Sequence, residues 1–167
     1  MNTPIPIDAD GRFAGYASAF GLVDDSGDVV MPGAFAKSLA RRGAARIKML
    51  FQHDPNTPIG VWLDIREDGE GLYVKGRLTT EVGRAREVLS LMRAGALDGL
   101  SIGYRTVRGR TDAKTGIRQL HEVDLWEISV VTFPMLPEAR VVSVKDADVQ
   151  LARTIRRATA LVRNAMR

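Results

Sequence analysis

The stretch EVGRAREVLSLMRAGALDGLSIGYRTV, residues 81–107, decides the fold class, because its pattern changes from helix to strand ahead of a serine. Apolar residues recur at helical spacing through 81–94, and Gly95 ends the predicted helix. Residues 100–107 alternate instead, as in a half-buried strand. The segment GLSIG, residues 99–103, matches the G-x-S-x-G nucleophile elbow, but that elbow requires a strand before the serine and a helix after it. The order found here argues against an α/β-hydrolase.

Working outward from this stretch, the sequence predicts a mostly β protein with two internal helices, of the α+β class. The predicted strands are 12–20, 47–52, 59–66, 72–79, 100–107, 118–125, 126–133 and 140–144, and the predicted helices are 34–43 and 81–94. The strands 59–66 and 72–79 alternate on either side of the turn EDGEG, which indicates a hairpin. We therefore expect a sheet that is mostly antiparallel.

The length of 167 residues and the apolar content of 45% fit one globular domain with a sizeable core. We expect this domain to cover residues 1–144. Residues 145–167 are predicted to form a basic amphipathic helix or tail, in which six basic residues accompany two acidic ones. Because the body is neutral, we expect no broad nucleic-acid-binding face, since phosphate-dominated affinity needs clustered Lys and Arg without matching carboxylates.

Composition limits the chemistry further. No apolar run reaches membrane-spanning length, and the N-terminal MNTPIPIDAD lacks the pattern of a secretory signal, so we expect a cytosolic protein without a membrane segment. The absence of cysteine excludes disulfides, thiolate metal sites and a cysteine nucleophile. His53 and His121 are the two histidines and form no H-E-x-x-H pair, so we expect no metal. No cofactor is expected.

Ser101 and His53 are candidates for a nucleophile and its general base. In a strand, Ser101 shares one face with Gly99 and Gly103, so that nothing bulky crowds its hydroxyl. His53 follows an apolar strand and enters a turn, where a rigidly held side chain can reach a cleft. Taken singly, the serine is better explained by packing in a sheet, and the histidine as a solvent-facing residue or one that caps Asp54. Only the combination supports catalysis.

Six sequence blocks follow one another between residues 12 and 144. They are GYASAFG, GDVVMPGAF, KMLFQHDPNTPIGVW, GLYVKGRL, GALDGLSIGY and DLWEISVVTFPMLPEARV. In this order they resemble the signature blocks of the tailed-phage prohead proteases, which are capsid-maturation serine proteases. The resemblance implies the fold of the herpesvirus assemblin proteases, a closed antiparallel β-barrel wrapped by helices. It also implies a serine endopeptidase that cleaves scaffold or delta segments and capsid protein, and that processes itself.

The resemblance also implies the role of individual residues. The histidine of the QHD block is His53, the general base, and the serine of the GLSIGY block is Ser101, the nucleophile. A carboxylate on the strand after the serine completes the triad in the phage enzymes, and we predict Glu127. Asp124 is an alternative that an extended strand would turn to the opposite side. His121 is the other alternative, if the second histidine of the herpesvirus enzymes is retained.

The remaining expectations concern the oxyanion and the partners. The resemblance to the herpesvirus enzymes implies an arginine near the oxyanion, and Arg140, in PEARV, is the nearest candidate, with a structural salt bridge as its alternative role. The expected partners are the major capsid protein and its scaffold or delta domain, and a homodimer is a further expectation. The basic tail would suit docking onto an acidic scaffold helix or a dimer partner. The expected location is the cytoplasm of the bacterial host, inside the assembling prohead. The alternative function is a non-enzymatic, scaffold-associated β-barrel in capsid assembly.

Overall fold

The computed structural model describes residues 7–8 and 10–142. Within them, eight strands form one sheet: β1 Arg12–Ala19, β2 Asp28–Val30, β3 Lys48–Phe51, β4 Asp54–Glu67, β5 Gly71–Leu78, β6 Gly99–Thr111, β7 Arg118–Val131 and β8 Val141–Val142. The helices are α1 Ala36–Arg42 and α2 Gly83–Arg93, and a 3-10 turn covers Ala44–Arg46. The mostly β architecture with two helices is as the sequence predicts.

Strand β7 is the hub of the sheet, because three other strands pair with it. β6 runs antiparallel along one edge of β7. The other edge of β7 pairs in parallel with β2 at residues 118–120 and with β3 at residues 127–130. From β3 the sheet continues through β4, β5, β1 and β8, and each of these pairs is antiparallel.

Among the described strands, five pairs are antiparallel and these two are parallel, so the sheet is mostly antiparallel, as expected, but not the wholly antiparallel barrel that the resemblance implies. Parallel neighbours need a long crossover connection, and the chain between β3 and β7 supplies one through β4, β5, α2 and β6. Strand β2 was missed because three residues are too short to show a period. The two strands predicted at 118–125 and 126–133 are the single strand β7, since no turn-forming residue separates them.

The sheet curls into a half-barrel, and a closed barrel is not shown. Register shifts in the β1–β5, β4–β5 and β6–β7 ladders increase the local twist and bend the sheet around its core. Its two ends approach each other at the isolated bridge between Gly99 and Arg140. Within residues 10–142 no continuous ladder joins β6 to β8.

The hydrophobic core fills the inside of the curl. The largest fully buried core side chains are Phe13, Phe35, Met49, Ile59, Leu72, Leu78, Met92, Leu100, Leu120, Leu125 and Ile128. Helix α2 adds the buried face that its apolar spacing predicted, which consists of Ala85, Val88, Leu89 and Met92. Burial of each large apolar side chain contributes about 1.5–3 kcal/mol. The core therefore fixes β3, β6 and β7 relative to one another.

Other expectations are settled by the element boundaries. The predicted helices at 34–43 and 81–94 are α1 and α2, and the predicted hairpin is β4 with β5. The predicted turn after β3 is shorter than expected, because β4 already begins at Asp54. The predicted C-terminal helix and the boundary after residue 144 lie outside the described residues. In the described part of the chain, neither helix has the length and apolar character needed to cross a membrane.

Gly15 offers a test of the junction between β1 and β8. A Cβ at Gly15 would lie 2.3 Å from the main-chain oxygen of Arg140 and 2.9 Å from the Cα of Val141. We expect Gly15→Ala to lower the free energy of unfolding by about 1–3 kcal/mol, because main-chain atoms cannot rotate aside as a side chain can. Urea unfolding followed by circular dichroism measures the change.

Gly83→Ala is the matched control for this substitution. A Cβ at Gly83 would meet its nearest neighbour, the Arg86 guanidinium, at 3.8 Å. Because alanine favours a helix over glycine by about 0.5–1 kcal/mol, this variant should be as stable as the parent chain or slightly more so. Equal stability of the two variants would contradict the prediction for Gly15.

Candidate active site

The β6–β7 ladder places the polar side chains of the site on one face of the sheet. Ser101 lies opposite Ser129, and Gly103 lies opposite Glu127. Directly opposite residues of an antiparallel pair have Cβ positions about 4.5–5.5 Å apart. Glu127 and Ser129 are two residues apart on β7 and share this face. Two strands thus provide a serine, a carboxylate and a second serine as neighbours.

His53 reaches the same face from the turn between β3 and β4. Because β3 pairs with residues 127–130 of β7, the turn that follows β3 lies beside this part of β7. Gln52 and His53 both have positive φ angles, of 55° and 59°. This left-handed backbone is sparsely populated by residues other than glycine and persists only where surrounding contacts hold it.

Four hydrogen bonds to β7 and the residue after it hold this turn. The Gln52 amide N–H donates to the Val130 carbonyl at 3.0 Å, and the His53 amide N–H donates to Ser129 Oγ at 3.1 Å. The Gln52 side chain pairs with Thr132 in both directions: Nε2 donates to Oγ1 at 2.6 Å, and Oε1 accepts from the main-chain N–H at 3.4 Å. Side-chain and main-chain contacts together fix the position of the imidazole.

The imidazole of His53 is hydrogen-bonded to the carboxylate of Glu127. The Nδ1 to Oε1 distance is 2.6 Å, and the Glu127 side chain is 13% exposed against 44% for His53. Since a carboxylate only accepts, Nδ1 carries the proton, and Nε2 is the acceptor of the neutral ring. The hydrogen bond to Glu127 raises the pKa of His53 above its ordinary value, although partial burial works in the opposite direction.

Gly103 makes room for this carboxylate. A Cβ at Gly103 would lie 2.0 Å from Oε1 and 2.6 Å from Cδ of Glu127. A Cβ at Gly99 would lie 2.7 Å from the Val131 carbonyl oxygen and 2.8 Å from Cδ of Pro134. From the sequence, both glycines are expected to leave space around Ser101. In the structure, Gly103 also admits the carboxylate that holds the histidine, and Gly99 admits the Val131 carbonyl and Pro134.

Ser101 and His53 line the same cavity, whose volume is about 190 Å³. The end of β1, the loop after it, β2, β6 and residues 135–139 form the remaining walls. The residue Ser101 is 7% exposed, and its hydroxyl has no hydrogen-bond partner among the described residues. Catalytic hydrogen bonds are often long in unliganded sites and shorten when substrate binds. Ser101 and His53 therefore border one space.

Asp124 lies on the same face of β7 as Glu127, which contradicts the expectation from strict alternation. The register shift between Gly103 and Tyr104 adds an extra residue, Trp126, to β7. Core residues are accordingly odd-numbered just before this bulge, at 123 and 125, and even-numbered after it, at 128 and 130. A single bulge therefore exchanges inward-facing and outward-facing positions.

Asp124 is nevertheless occupied elsewhere. Its carboxylate accepts from Arg42 at 2.9 Å and from the Trp126 indole N–H at 2.8 Å, and it also pairs with Arg41. The pKa of the Asp124 carboxyl is held far below its usual value, mainly by the hydrogen bond from the Arg42 guanidinium and, to a smaller extent, by that from the Trp126 indole. His121 is six residues from Glu127 along β7, which corresponds to about 20 Å of extended strand. Of the three candidates, Glu127 is the one that contacts the imidazole.

The Arg140 side chain does not face the cavity in this conformation. Its main chain forms the bridge to Gly99, close to Ser101. Its guanidinium pairs with Asp98, and Nε donates to the Pro137 carbonyl at 2.7 Å. The salt bridge expected as its alternative role is therefore present.

The acidic residues in the cavity wall are also paired. Asp28 accepts from Arg118 Nε at 2.7 Å and from the Tyr104 hydroxyl at 3.0 Å. Oδ1 of Asp24 accepts from the Ser26 amide and the Asp28 amide, each at 2.9 Å. Among the residues that the structure describes, no group of three or more histidine or acidic side chains could hold a metal ion.

A serine and a carboxylate-bound histidine around one cavity, on a curled β-sheet, form the arrangement expected of a serine hydrolase. The chain belongs to the Caudovirus prohead serine protease family, whose model matches residues 3–153. It is 36% identical over 151 residues to the prohead protease of Enterobacteria phage HK97. This alignment covers 87% of this chain and 67% of that protein. The prohead protease of Escherichia phage T5 is 30% identical over 124 residues, covering 74% of this chain and 58% of that protein.

Two solved structures share the fold. The capsid assembly protease of bacteriophage T4 matches with a TM-score of 0.61 at 13% identity, over 77% of this chain and 89% of that one. The KSHV protease, in complex with a hexapeptide phosphonate inhibitor, matches with a TM-score of 0.54 at 12% identity, over 78% of this chain and 63% of that one. The herpesvirus-protease likeness expected from the sequence is confirmed for the fold.

Sequence reasoning missed three residues of the site. Ser129, Gln52 and Thr132 hold the His53 turn or the Glu127 carboxylate, and all three stand in the sequence blocks quoted above, but no role was assigned to them. The alternation of Glu127 with Ser129 on one strand was a usable signal for Ser129. Its position opposite Ser101 required the β6–β7 register, which the sequence alone does not define.

Gly103→Ala tests whether the glycine admits the carboxylate. The new methyl group would displace Glu127 from Nδ1, so we expect the pKa of His53 to fall towards that of an unpaired imidazole. NMR titration of the chain measures this directly, because it contains two histidines. Gly109→Ala, on the same strand, is the control, since its Cβ would meet no atom closer than 3.3 Å. A His53 pKa that falls equally in both variants, or in neither, would refute the explanation.

Proposed function

We propose that this chain is a serine endopeptidase of prohead maturation, with Ser101 as nucleophile, His53 as general base and Glu127 as the orienting carboxylate. The observation that carries the proposal is the 2.6 Å hydrogen bond from Nδ1 of His53 to Glu127, on a ring that shares a cavity with Ser101. A carboxylate on Nδ1 leaves Nε2 to accept a proton, as a serine nucleophile requires.

In this mechanism Ser101 Oγ attacks the carbonyl carbon of a peptide bond while Nε2 of His53 takes the hydroxyl proton. The tetrahedral intermediate then releases the amine, which receives that proton from the imidazolium. Water then attacks the resulting ester with His53 as base, and the imidazolium returns the proton to Ser101 Oγ as the carboxylic acid product leaves. Glu127 keeps the ring in the productive tautomer and stabilises the imidazolium formed in each half of the reaction.

For the oxyanion we retain Arg140 as the candidate. Its main chain already lies beside Gly99, two residues before the nucleophile. Its guanidinium would have to leave Asp98 and the Pro137 carbonyl to reach a charge that develops near Ser101.

The proposed substrates are the major capsid protein, its scaffold or delta segment, and the chain itself. The names of the HK97 and T5 relatives, which are prohead proteases, support this proposal, as does the T4 protease of capsid assembly with the same fold. Action inside the assembling prohead, in the cytoplasm of the bacterial host, follows from such substrates. Docking through residues 145–167, or through a homodimer, belongs to the same proposal.

Ser101→Ala tests the nucleophile. We expect it to abolish cleavage of the cognate capsid and scaffold proteins on co-expression, as well as labelling by a serine-directed phosphonate in assembled proheads. Mass spectrometry of both proteins measures the outcome. Ser18→Ala is the control, because Ser18 is also buried and lines the same cavity. Full cleavage by Ser101→Ala would refute the proposal, and loss of cleavage in both variants would indicate damage to the cavity instead.

Glu127→Gln tests the orienting carboxylate. An amide cannot stabilise the imidazolium, so kcat should fall by orders of magnitude, about 10^4-fold in the well-studied case. The base must be neutral to accept a proton, and Glu127 raises the pKa of His53. Activity of the parent chain should therefore be lost as the pH falls through this raised pKa. In the variant the acidic limb of the rate profile should move to lower pH, and an unmoved limb would contradict the assignment.

A further inference from the structure

A second serine, Ser129, contacts both His53 and Glu127. Ser129 is fully buried and lies opposite Ser101 in the β6–β7 register. Ser129 Oγ donates to Oε2 of Glu127 at 2.7 Å and accepts from the main-chain N–H of His53 at 3.1 Å. We propose that Ser129 is a positioning residue that locks the Glu127 carboxylate and the His53 turn into one unit. This inference rests on the proposed function.

The direction of each hydrogen bond follows from the groups involved. A main-chain N–H only donates and a carboxylate only accepts, so the single hydroxyl proton of Ser129 must point to Glu127. His53 and Glu127 are then joined twice, once from Nδ1 to Oε1 and once through Ser129 from the main chain to Oε2. The pair and the serine form a closed ring of three hydrogen bonds.

This ring constrains the two movements that would separate the pair. The terminal torsion of a glutamate is broad, so a carboxylate held by one oxygen can rotate, whereas here both oxygens are bonded. The backbone of His53 is in the sparsely populated left-handed region, and its N–H would lose its acceptor without Ser129. One hydroxyl thus acts on both partners.

Loss of the Ser129 hydroxyl has two opposing effects on the pKa of His53. A carboxylate with one fewer donor is a stronger base, which would raise this pKa. A carboxylate free to rotate forms a poorer hydrogen bond to Nδ1, which would lower it. Because hydrogen bonds weaken steeply with misalignment, the second effect is larger, and we expect the pKa to fall.

Ser38 provides a control of matched chemistry. It is also buried, at 3% exposure, and its hydroxyl accepts from the Leu125 amide of β7 at 2.9 Å. It contacts neither His53 nor Glu127. Ser38→Ala and Ser129→Ala therefore each leave one amide of this region without its acceptor, but only Ser129→Ala also frees the Glu127 carboxylate.

The experiment combines NMR titration of the histidines with kcat and KM for a peptide from the cognate capsid protein, in the full chain. For Ser129→Ala we expect a lower His53 pKa and a kcat reduced by about 10^2-fold, as expected when a catalytic group is slightly misplaced, with KM nearly unchanged.

Ser129→Thr, which retains a hydroxyl, should recover both the His53 pKa and kcat. Ser38→Ala should lower the melting temperature but change neither the pKa nor kcat. If Ser129→Ala does not fold, Ser129→Cys replaces it, since a thiol is a weak donor of similar shape.

Equal shifts of the His53 pKa in the Ser129→Ala and Ser38→Ala variants would overturn the inference. So would full additivity of Ser129→Ala with Glu127→Gln in kcat, because a residue that acts through Glu127 adds little once that carboxylate is removed. The titration does not depend on proteolysis. A chain that cleaves nothing but shows the Ser129-dependent pKa would refute the proposed function and leave the positioning role established.

Discussion

The register between β6 and β7 is the constraint on which the site depends. It sets Gly103 against Glu127 and Ser101 against Ser129. A slip by one residue would turn the polar face inwards, where Leu100 and Ile128 are now fully buried. A slip by two residues would bring a residue with a Cβ opposite the carboxylate, in space that only glycine leaves open. The core on one face therefore fixes the chemistry on the other.

Strand β7 connects this register to the histidine. Its second edge holds β3 in parallel, so that the turn at Gln52 and His53 passes over the residues that carry the carboxylate. The bulge at Trp126 divides the strand into two functional parts. Before it, Asp124 anchors the arginines of α1, and after it Glu127 holds the imidazole. Two carboxylates three residues apart thus have different partners because different elements cover them.

The parts of the fold and the site that depend on neighbouring residues could be predicted from the sequence, whereas those that depend on distant residues could not. Helix α2 and the β4–β5 hairpin have periods that are visible within a single segment, and both are present. The parallel pair of β3 with β7 joins residues more than seventy positions apart, and no local pattern encodes it. The bulge at Trp126 reversed the expected relation of Asp124 to Glu127, since strict alternation assumes a regular ladder. Ser129 depends on the β6–β7 register and was missed for the same reason.

The distance along the chain between the members of the pair has a consequence for synthesis. His53 and Glu127 are 74 residues apart, and they meet only when β3 has docked beside a complete β7. Contacts of this range form late, because the intervening loop must be closed before they contribute stability. A nascent chain on the ribosome would already expose its serine while lacking the strand that orients its histidine. On the proposed mechanism, an unfinished chain would lack the oriented histidine and would stay inactive until the sheet has assembled.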